Sequence, residues 1–260
     1  MLRDAVQREL AAEARNIDLA QTRRLAEEAA ECVDRHMGLT PSYADKFDLL
    51  SAALKEVDPS LDGLYCEFGV FEGRTLNFIA SQTQSPVHGF DSFEGLPEDW
   101  RTGVMRGAFK TGKLPAVRDN VRLHPGWFSE TVPEFARAHP APLAFVHIDA
   151  DLYSSTKTIF DVLGPQIVAG TVIQFDEFFN YPGWQQGEYR AFAEFCAARQ
   201  LQVRYIGYTH ANSPAQVAVK VTHVKDHVIR AATPLLREEH FTIRDDLAGK
   251  SSGGVTSLEM

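Results

Sequence analysis

The 260-residue chain has 44% hydrophobic and 23% charged residues, which is typical of a globular protein with one full core and excludes a disordered or fibrous class. Its net charge of -9 argues against nucleic acid as the main ligand, because phosphate backbones are bound by clustered Lys and Arg. The charged N-terminus lacks an apolar leader, and no stretch approaches the roughly 18 apolar residues of a membrane span. We therefore expect a cytoplasmic protein with no membrane or nucleic-acid partner.

The first 40 residues are predicted to form a helical arm. Apolar residues recur at helical spacing from Leu2 to Val33 among many Arg and Glu, and Gly38 and Pro41 end the pattern. We interpret residues 1–40 as one or two amphipathic helices that act as an acceptor lid or as the contact of a possible homodimer.

Residues 41–223 are predicted to form one α/β domain. A helix opened by Ser42 precedes the short apolar runs LYCEF, VHGFD, VRLHP, LAFVHID and TVIQFD, which alternate with helical segments. This alternation predicts a Rossmann-like, mostly parallel sheet with helices on both faces. The short link THANSPA joins the last two runs, LQVRYIGY and QVAVKVT, so the last strand should be antiparallel. Residues 224–260 are expected to be a partly flexible extension.

The turn between a predicted strand and a predicted helix in LYCEFGVFEGRT predicts a cofactor site. Glu67, Gly69 and Gly73 form E-x-G-x-x-x-G, which lacks the first glycine and the spacing of the dinucleotide fingerprint. A carboxylate at a strand end would repel a pyrophosphate, whereas it suits the ammonium and sulfonium groups of S-adenosylmethionine. The following helix N-terminus can receive that cofactor's carboxylate. For this motif alone, an ordinary glycine-rich turn is an equal alternative.

Two later strand ends extend the predicted site. In VHGFDSFEGLP, Asp91 follows the second strand of the series, where a carboxylate can accept hydrogen bonds from both ribose hydroxyls of an adenosine. By itself, an Asp after a strand is more often a helix N-cap, so Asp91 indicates a cofactor site only in combination with Glu67. In HPGWFSETVP, Gly126, Trp127 and Phe128 could flank an adenine ring, and the alternative is a pair of core aromatic residues.

Acidic residues also follow the fourth and fifth strands. VHIDADLYSSTK places Asp149 and Asp151 after one strand, and VIQFDEFFNYPGW places Asp176 and Glu177 after the next. Neighbouring parallel strands lie about 5 Å apart, so Asp149 and Asp176 should share the edge of the cofactor turn. Carboxylates suit Mg²⁺, which would lower the pKa of an acceptor hydroxyl. We predict a Mg²⁺ site at Asp149, Asp176 and Glu177, with helix capping as the alternative for Asp151, and we expect His147 to be a core histidine.

Four segments, YCEFGVFEGRT, GFDSFEGLP, HIDADLYSST and FDEF, resemble in order and spacing the class I S-adenosylmethionine-dependent methyltransferases. Within that class they are most similar to the macrocin O-methyltransferase family, over roughly residues 40–222. The resemblance implies a seven-stranded sheet, a Mg²⁺ site, Asp149 as general base, and methylation of a hydroxyl on a sugar or glycosylated natural product. The family typically has a second Asp where this chain has Glu177.

The predicted site is therefore a combined cofactor and metal site. Its expected cofactor-binding residues are Glu67, Gly69, Gly73, Arg74, Thr75, Asp91, Ser92, Gly126, Trp127, Phe128 and Asp149. Two other classes stay open, an NAD-type oxidoreductase and a non-catalytic adenosine-binding protein. Glu67 and the missing first glycine argue against the oxidoreductase.

Overall fold

The structure is a computed structural model that describes residues 15–225. Predictions for residues 1–14, and those for the extension from residue 226 onward, lie outside the described residues. The helices are α1 Ile17–His36, α2 Lys46–Lys55, α3 Arg74–Ser81, α4 Phe128–Ala138, α5 Tyr153–Leu163 and α6 Glu188–Arg199. The strands are β1 Ser42–Tyr43, β2 Leu64–Phe68, β3 Val87–Asp91, β4 Val121–Pro125, β5 Leu143–Ile148, β6 Val172–Phe179, β7 Gln202–Thr209 and β8 Ala215–His223. Short 3₁₀ turns cover Gly164–Gln166 and Trp184–Gln186.

The strands form one sheet in the order β1-β7-β8-β6-β5-β2-β3-β4. Strand β8 runs antiparallel to both β6 and β7, and the other neighbouring pairs are parallel. The predicted Rossmann-like sheet with an antiparallel last strand is confirmed. The predicted count of seven strands is one too few, because Ser42 pairs with Tyr208 as part of the two-residue strand β1. The helix expected to open at Ser42 instead begins at Lys46, after the N-cap Asp45.

Helices cover both faces of the sheet because its central strands are apolar on both sides. Every residue of β5 and β6 is buried. Helices α1, α4, α5 and α6 pack on one face, and α2 and α3 pack on the other. Alternation along β6 divides its side chains between the faces, so that Phe175 joins the first core and Val172 the second. This two-sided burial leaves the strand ends as the place where polar side chains can gather.

Helix α1 is the described part of the predicted N-terminal arm. Its residues Ala29 and Cys32 are buried within the core cluster of the first face, so the helix packs on the domain rather than standing apart from it. Gln185 Nε2 donates a hydrogen bond of 3.0 Å to Glu28 Oε2 of the same helix. Its roles as lid or dimer contact stay predictions. Within residues 15–225, no helix is both long and apolar enough to cross a membrane.

Three histidines meet between β3, β4 and the end of α4. His88 Nδ1 lies 3.0 Å from His124 Nε2, and the ring of His139 stacks on Phe135. Burial lowers the pKa of His88 to about 4, and the neighbouring charges of His124, His139 and Arg122 act in the same direction. The folded chain therefore favours a neutral His88.

Replacing His88 with Phe should make the fold less sensitive to acid. The wild-type imidazole resists protonation in the folded state down to about pH 4, whereas the unfolded state takes up a proton near the ordinary pKa of 6.5. The stabilisation is fully present above about pH 6.5 and is lost as the pH falls toward 4. Urea unfolding at pH 7.5, 5.5 and 4.5 should show a smaller loss for His88→Phe than for wild type. The exposed His210→Gln should behave as wild type, and equal losses in all three proteins would contradict the assignment.

Candidate active site

A cavity of about 580 Å³ opens at the carboxyl ends of the parallel strands. It brings together eight of the residues predicted for the site, which are Gly69, Asp91, Ser92, Trp127, Phe128, Asp149, Asp176 and Glu177. Arg74 and Thr75 line a smaller neighbouring cavity of about 160 Å³, which shares Lys46, Phe71 and Asp149 with the first. Glu67, Gly73 and Gly126 line neither of these two cavities. The cofactor roles of all these residues stay predictions.

Gly69 is required by the contact between the ends of β2 and β5. Its φ is +95°, and a Cβ at this position would lie 1.7 Å from the backbone oxygen of Asp149. The Asp149 N–H donates to the Phe68 oxygen at 2.8 Å, and the Gly69 N–H donates to the Phe90 oxygen at 2.9 Å. Any side chain at residue 69 would separate β2 from β5. The glycine of the predicted cofactor turn thus places Asp149 at the floor of the cavity.

Asp91 closes the turn after β2 onto the end of β3. Its Oδ2 accepts hydrogen bonds of 2.8 Å from the backbone N–H groups of Val70 and Phe71, and its Oδ1 accepts one of 2.7 Å from Phe93. Phe71 and Phe93 both have positive φ angles, of 48° and 57°. The alternative role of Asp91 as a helix cap does not hold, because no helix of the described residues starts beside it. Asp91 shapes the cavity wall that it lines.

Glu67 points into the sheet and forms a buried pair with His147. The two residues are in register on neighbouring strands β2 and β5, and neither side chain is exposed. Glu67 Oε1 lies 2.8 Å from His147 Nδ1. On its other side, His147 Nε2 lies 3.9 Å from Asp176 Oδ1. His147 is therefore a core histidine, as expected, but one that lies between the carboxyl groups of Glu67 and Asp176.

Three acidic residues of the cavity, Asp149, Asp151 and Glu177, have raised pKa values. Burial, followed by the charges of Asp176 and Asp151, raises the pKa of Asp149 well above its usual range. Burial and the charge of Asp149 do the same for the pKa of Glu177. For Asp151, burial and Asp176 raise the pKa to about 7. Several negative charges that are shielded from water repel one another, so this site favours protons or cations.

Lys46 supplies one cation at this edge. Its Nζ lies 3.3 Å from both carboxylate oxygens of Asp176. Burial alone would lower the pKa of Lys46, but the charges of Asp176 and Asp149 outweigh it and raise that pKa. A divalent ion would also fit the donor set, since donor atoms of His147, Asp149 and Asp176 lie within 4.8 Å of one another. Glu177, the third predicted ligand, lines the same cavity.

Four residues of the site were not found from the sequence. The sequence places Asp151 after the fourth strand but outside the predicted metal site, with helix capping as its alternative; in the structure the N-cap of α5 is Leu152, and Asp151 lines the cavity with a φ of 59°. The sequence signal that could have indicated Asp151 is its position as the second Asp of the D-x-D motif. Arg101 lines the cavity with its guanidinium 4.2 Å above the ring of Trp100, and no motif indicated it. The other two are Lys46 and Glu188.

Glu188 ties together the two strand ends that carry the acidic residues. Its side chain is fully buried at the start of α6. One oxygen accepts a hydrogen bond of 3.0 Å from the Ala150 N–H, and the other accepts one of 3.2 Å from the Glu177 N–H. Glu188 therefore fixes the loop after β5 relative to β6, and with it the separation of Asp149 from Asp176.

Replacing Glu188 with Gln should destabilise the fold by about 1–3 kcal/mol, because the amide NH₂ would face one of the two backbone N–H donors. Urea unfolding of the purified protein measures this change. Glu194→Gln is the matched control on the same helix, where the exposed side chain pairs with Arg190 and a loss below about 1 kcal/mol is expected. Equal losses for the two variants would show that the Glu188 contacts do not hold the strand ends.

Residues 66–178 match a family described as "Methyltransferase domain". The chain is 30% identical over 138 residues to the 8-demethyl-8-(2,3-dimethoxy-alpha-L-rhamnosyl)-tetracenomycin-C 4'-O-methyltransferase of Streptomyces olivaceus, covering 43% of this chain and 51% of that protein. It is 30% identical over 122 residues to demethyldecarbamoylnovobiocin O-methyltransferase of Streptomyces niveus, covering 39% and 45%. The matches therefore span about half the length of these relatives.

A solved structure described as CalS11, calicheamicin methyltransferase, has the same fold with a TM-score of 0.54 and 26% identity. The match covers 66% of this chain and 78% of that one. The segment matched to the family contains the predicted cofactor turn, Asp91 and the acidic residues after β5 and in β6. Residues 66–178 are therefore similar to a methyltransferase domain, in agreement with the resemblance of the sequence motifs.

Proposed function

We propose that this chain transfers the methyl group of S-adenosylmethionine to a hydroxyl of a sugar or of a glycosylated natural product. The observation that carries this proposal is one cavity lined both by the predicted cofactor residues Asp91 and Trp127 and by the acidic residues Asp149 and Asp176. Two relatives whose names describe O-methylation of glycosylated or related natural products support the acceptor class. The oxidoreductase alternative has no comparable support.

In this proposal the cofactor lies over the ends of β2, β3 and β4. Asp91 and Ser92 would bind the ribose, and Trp127 and Phe128 would flank the adenine. Helix α3 starts after Gly73, which has a φ of +76°, so the backbone N–H groups of Arg74 and Thr75 would receive the cofactor's carboxylate. Glu67 would contribute its negative charge from beneath the turn. Gly126 would turn the chain just before the two residues that flank the adenine. Gly69 admits the close approach of Asp149 to the same turn.

The chemical step is an in-line displacement at the sulfonium methyl. The acceptor oxygen forms a bond to the methyl carbon, the carbon–sulfur bond breaks, and the acceptor proton must pass to a base. Asp149 is the proposed base, because burial and neighbouring charges raise its pKa and so increase its affinity for a proton. Holding acceptor and donor in line accounts for much of the expected rate enhancement.

The grouping of His147, Asp149 and Asp176, whose donor atoms lie within 4.8 Å of one another, supports a divalent cation in this proposal. Asp149, Asp176 and Glu177 would hold Mg²⁺, whose charge would lower the pKa of the acceptor hydroxyl. Lys46 already offsets part of the charge of Asp176. Asp151, with a pKa near 7, would exchange protons with the site over the physiological range.

Replacing Asp91 with Ala should weaken binding of S-adenosylhomocysteine by about 1–3 kcal/mol, because charge-assisted hydrogen bonds to the ribose are lost. Calorimetry gives the dissociation constant, and thermal unfolding without ligand shows the separate effect of losing the three backbone hydrogen bonds of Asp91. Glu94→Gln, an exposed change in the same loop, is the control. An unchanged dissociation constant would refute the ribose assignment, and stabilisation by NAD alone would overturn the methyltransferase function.

Replacing Asp149 with Asn should lower methyl transfer by about 100-fold or more, because the proposed base is lost and added Mg²⁺ cannot restore it. Asp176→Asn should lower the rate at low Mg²⁺ and recover in part at high Mg²⁺. Initial rates against Mg²⁺ concentration, with a panel of glycoside acceptors, measure both effects, and the exposed Asp161→Asn serves as control. Full wild-type activity in EDTA would remove the metal from the proposal and leave methyl transfer standing.

A further inference from the structure

His147 has one ring nitrogen with a partner and one without. Its side chain is completely buried, and its Nδ1 lies 2.8 Å from Glu67 Oε1. Its Nε2 makes no hydrogen bond to any described residue, and the nearest carboxylate oxygen, on Asp176, is 3.9 Å away. An unpaired polar nitrogen in a buried position costs free energy unless a ligand satisfies it.

The hydrogen bond to Glu67 determines whether the unpaired nitrogen of His147, Nε2, can donate or accept. A carboxylate accepts hydrogen bonds, so Nδ1 carries the proton and donates it toward Glu67. In the neutral ring Nε2 then holds a lone pair, and this nitrogen lies on the side of Asp149 and Asp176. A lone pair next to carboxylate oxygens is repulsive unless a positive charge lies between them. A histidine whose second nitrogen donates to a carboxylate is also the common arrangement of metal-binding histidines.

We propose that His147 binds a divalent transition-metal ion together with Asp149 and Asp176, and that Glu67 positions the imidazole for this role. Donor atoms of the three residues already lie within 4.8 Å of one another. Donors around one ion at about 2.1 Å are roughly 3–4 Å apart, so a small contraction would complete the site. The inference deepens the metal part of the proposed function, but metal binding does not require that methyl transfer be correct.

The nitrogen donor makes this site selective. Mg²⁺ prefers oxygen ligands, whereas imidazole suits transition metals, so the site should take Mn²⁺ or Co²⁺ in preference to Mg²⁺. Lys46 is the internal competitor, since its ammonium lies 3.3 Å from both oxygens of Asp176. Its side chain is 31% exposed, so it can turn toward water when an ion binds. Removing this ammonium should therefore tighten metal binding.

The test is Mn²⁺ binding to the untagged, chelator-treated full chain, without cofactor or acceptor. Electron paramagnetic resonance measures free Mn²⁺, and pulsed spin-echo modulation detects nitrogen bound directly to the ion. Wild type should bind one Mn²⁺ with a nitrogen signal, and should bind Mg²⁺ more weakly. His147→Gln should lose the nitrogen signal and bind Mn²⁺ about tenfold or more weakly, with a smaller change for Mg²⁺. Lys46→Met should bind Mn²⁺ more tightly than wild type.

Two controls protect the result. His124→Gln removes a histidine of β4 that lies outside the donor group and should retain both affinity and nitrogen signal. Wild type labelled with ¹⁵N-histidine should show shifted modulation, and this measurement does not depend on the folding of a variant.

Bound Mn²⁺ without a nitrogen signal would refute the His147 assignment. Failure of both wild type and Lys46→Met to bind Mn²⁺ would refute the metal site. Nitrogen resonances that show both ring nitrogens of His147 protonated in the presence of Mn²⁺ would refute the His147 assignment alone. A failed methyl-transfer assay would change none of these readouts.

Discussion

The concentration of carboxyl groups at one edge of the sheet is the constraint on which the rest of the site depends. The six groups are Glu67, Asp149, Asp151, Asp176, Glu177 and Glu188. All except the partly buried Asp149 are buried. Like charges removed from water repel strongly, so each group needs a donor, a cation or a proton. The fold compensates the charge of nearly every one of these groups in a different way, and these differences determine the chemistry of the cavity.

Backbone and side-chain donors satisfy the groups that lie deepest. Glu188 accepts two backbone N–H groups, and Glu67 accepts from His147. The ammonium of Lys46 offsets Asp176. The groups nearest the open cavity have no comparable partner, and the pKa of Asp151 accordingly rises to about 7. Charge that the protein leaves uncompensated is therefore located where a ligand, a metal ion or a transferred proton can reach it.

Much of this arrangement follows from local sequence. Apolar runs bounded by turns predict the strands, because β5 and β6 are buried on both sides. Once those strands are taken as parallel, the acidic residues after them must share an edge. The strand β1 was missed because two residues carry no periodicity, and only their pairing with β7 defines them. The helix-cap alternative for Asp151 arises because a residue before a helix resembles an N-cap, whereas its left-handed φ depends on the loop's packing.

The partners of the acidic residues could not be read from the sequence for a different reason. Lys46 and Asp176 are 130 positions apart, and Glu67 and His147 are 80 apart. The pairing of Glu67 with His147 requires knowing that β5 lies beside β2, on the side opposite to β3, and knowing the register of β2 and β5. Strand order and register are set by the packing of the whole domain, so no local pattern contains them.

The same strand order explains why the predicted cofactor region and the proposed acceptor region of the cavity adjoin each other. They form the two halves of the site. From β2 the chain continues outward through β3 and β4, and then returns to place β5 on the other side of β2. Ligands of open α/β sheets bind at such a reversal. The predicted cofactor residues gather at the carboxyl ends of β2, β3 and β4, whereas the acidic residues proposed to receive the acceptor lie after β5 and within β6. The sequence predicts that Asp176 and Glu177 follow their strand, but β6 continues through both of them, beyond the part that pairs with β5. Gly69 and Asp149 touch at the boundary between the two halves, with no space for a Cβ between them. A methyl group that passes from one half to the other must therefore cross beside Asp149, which is where the proposed base lies.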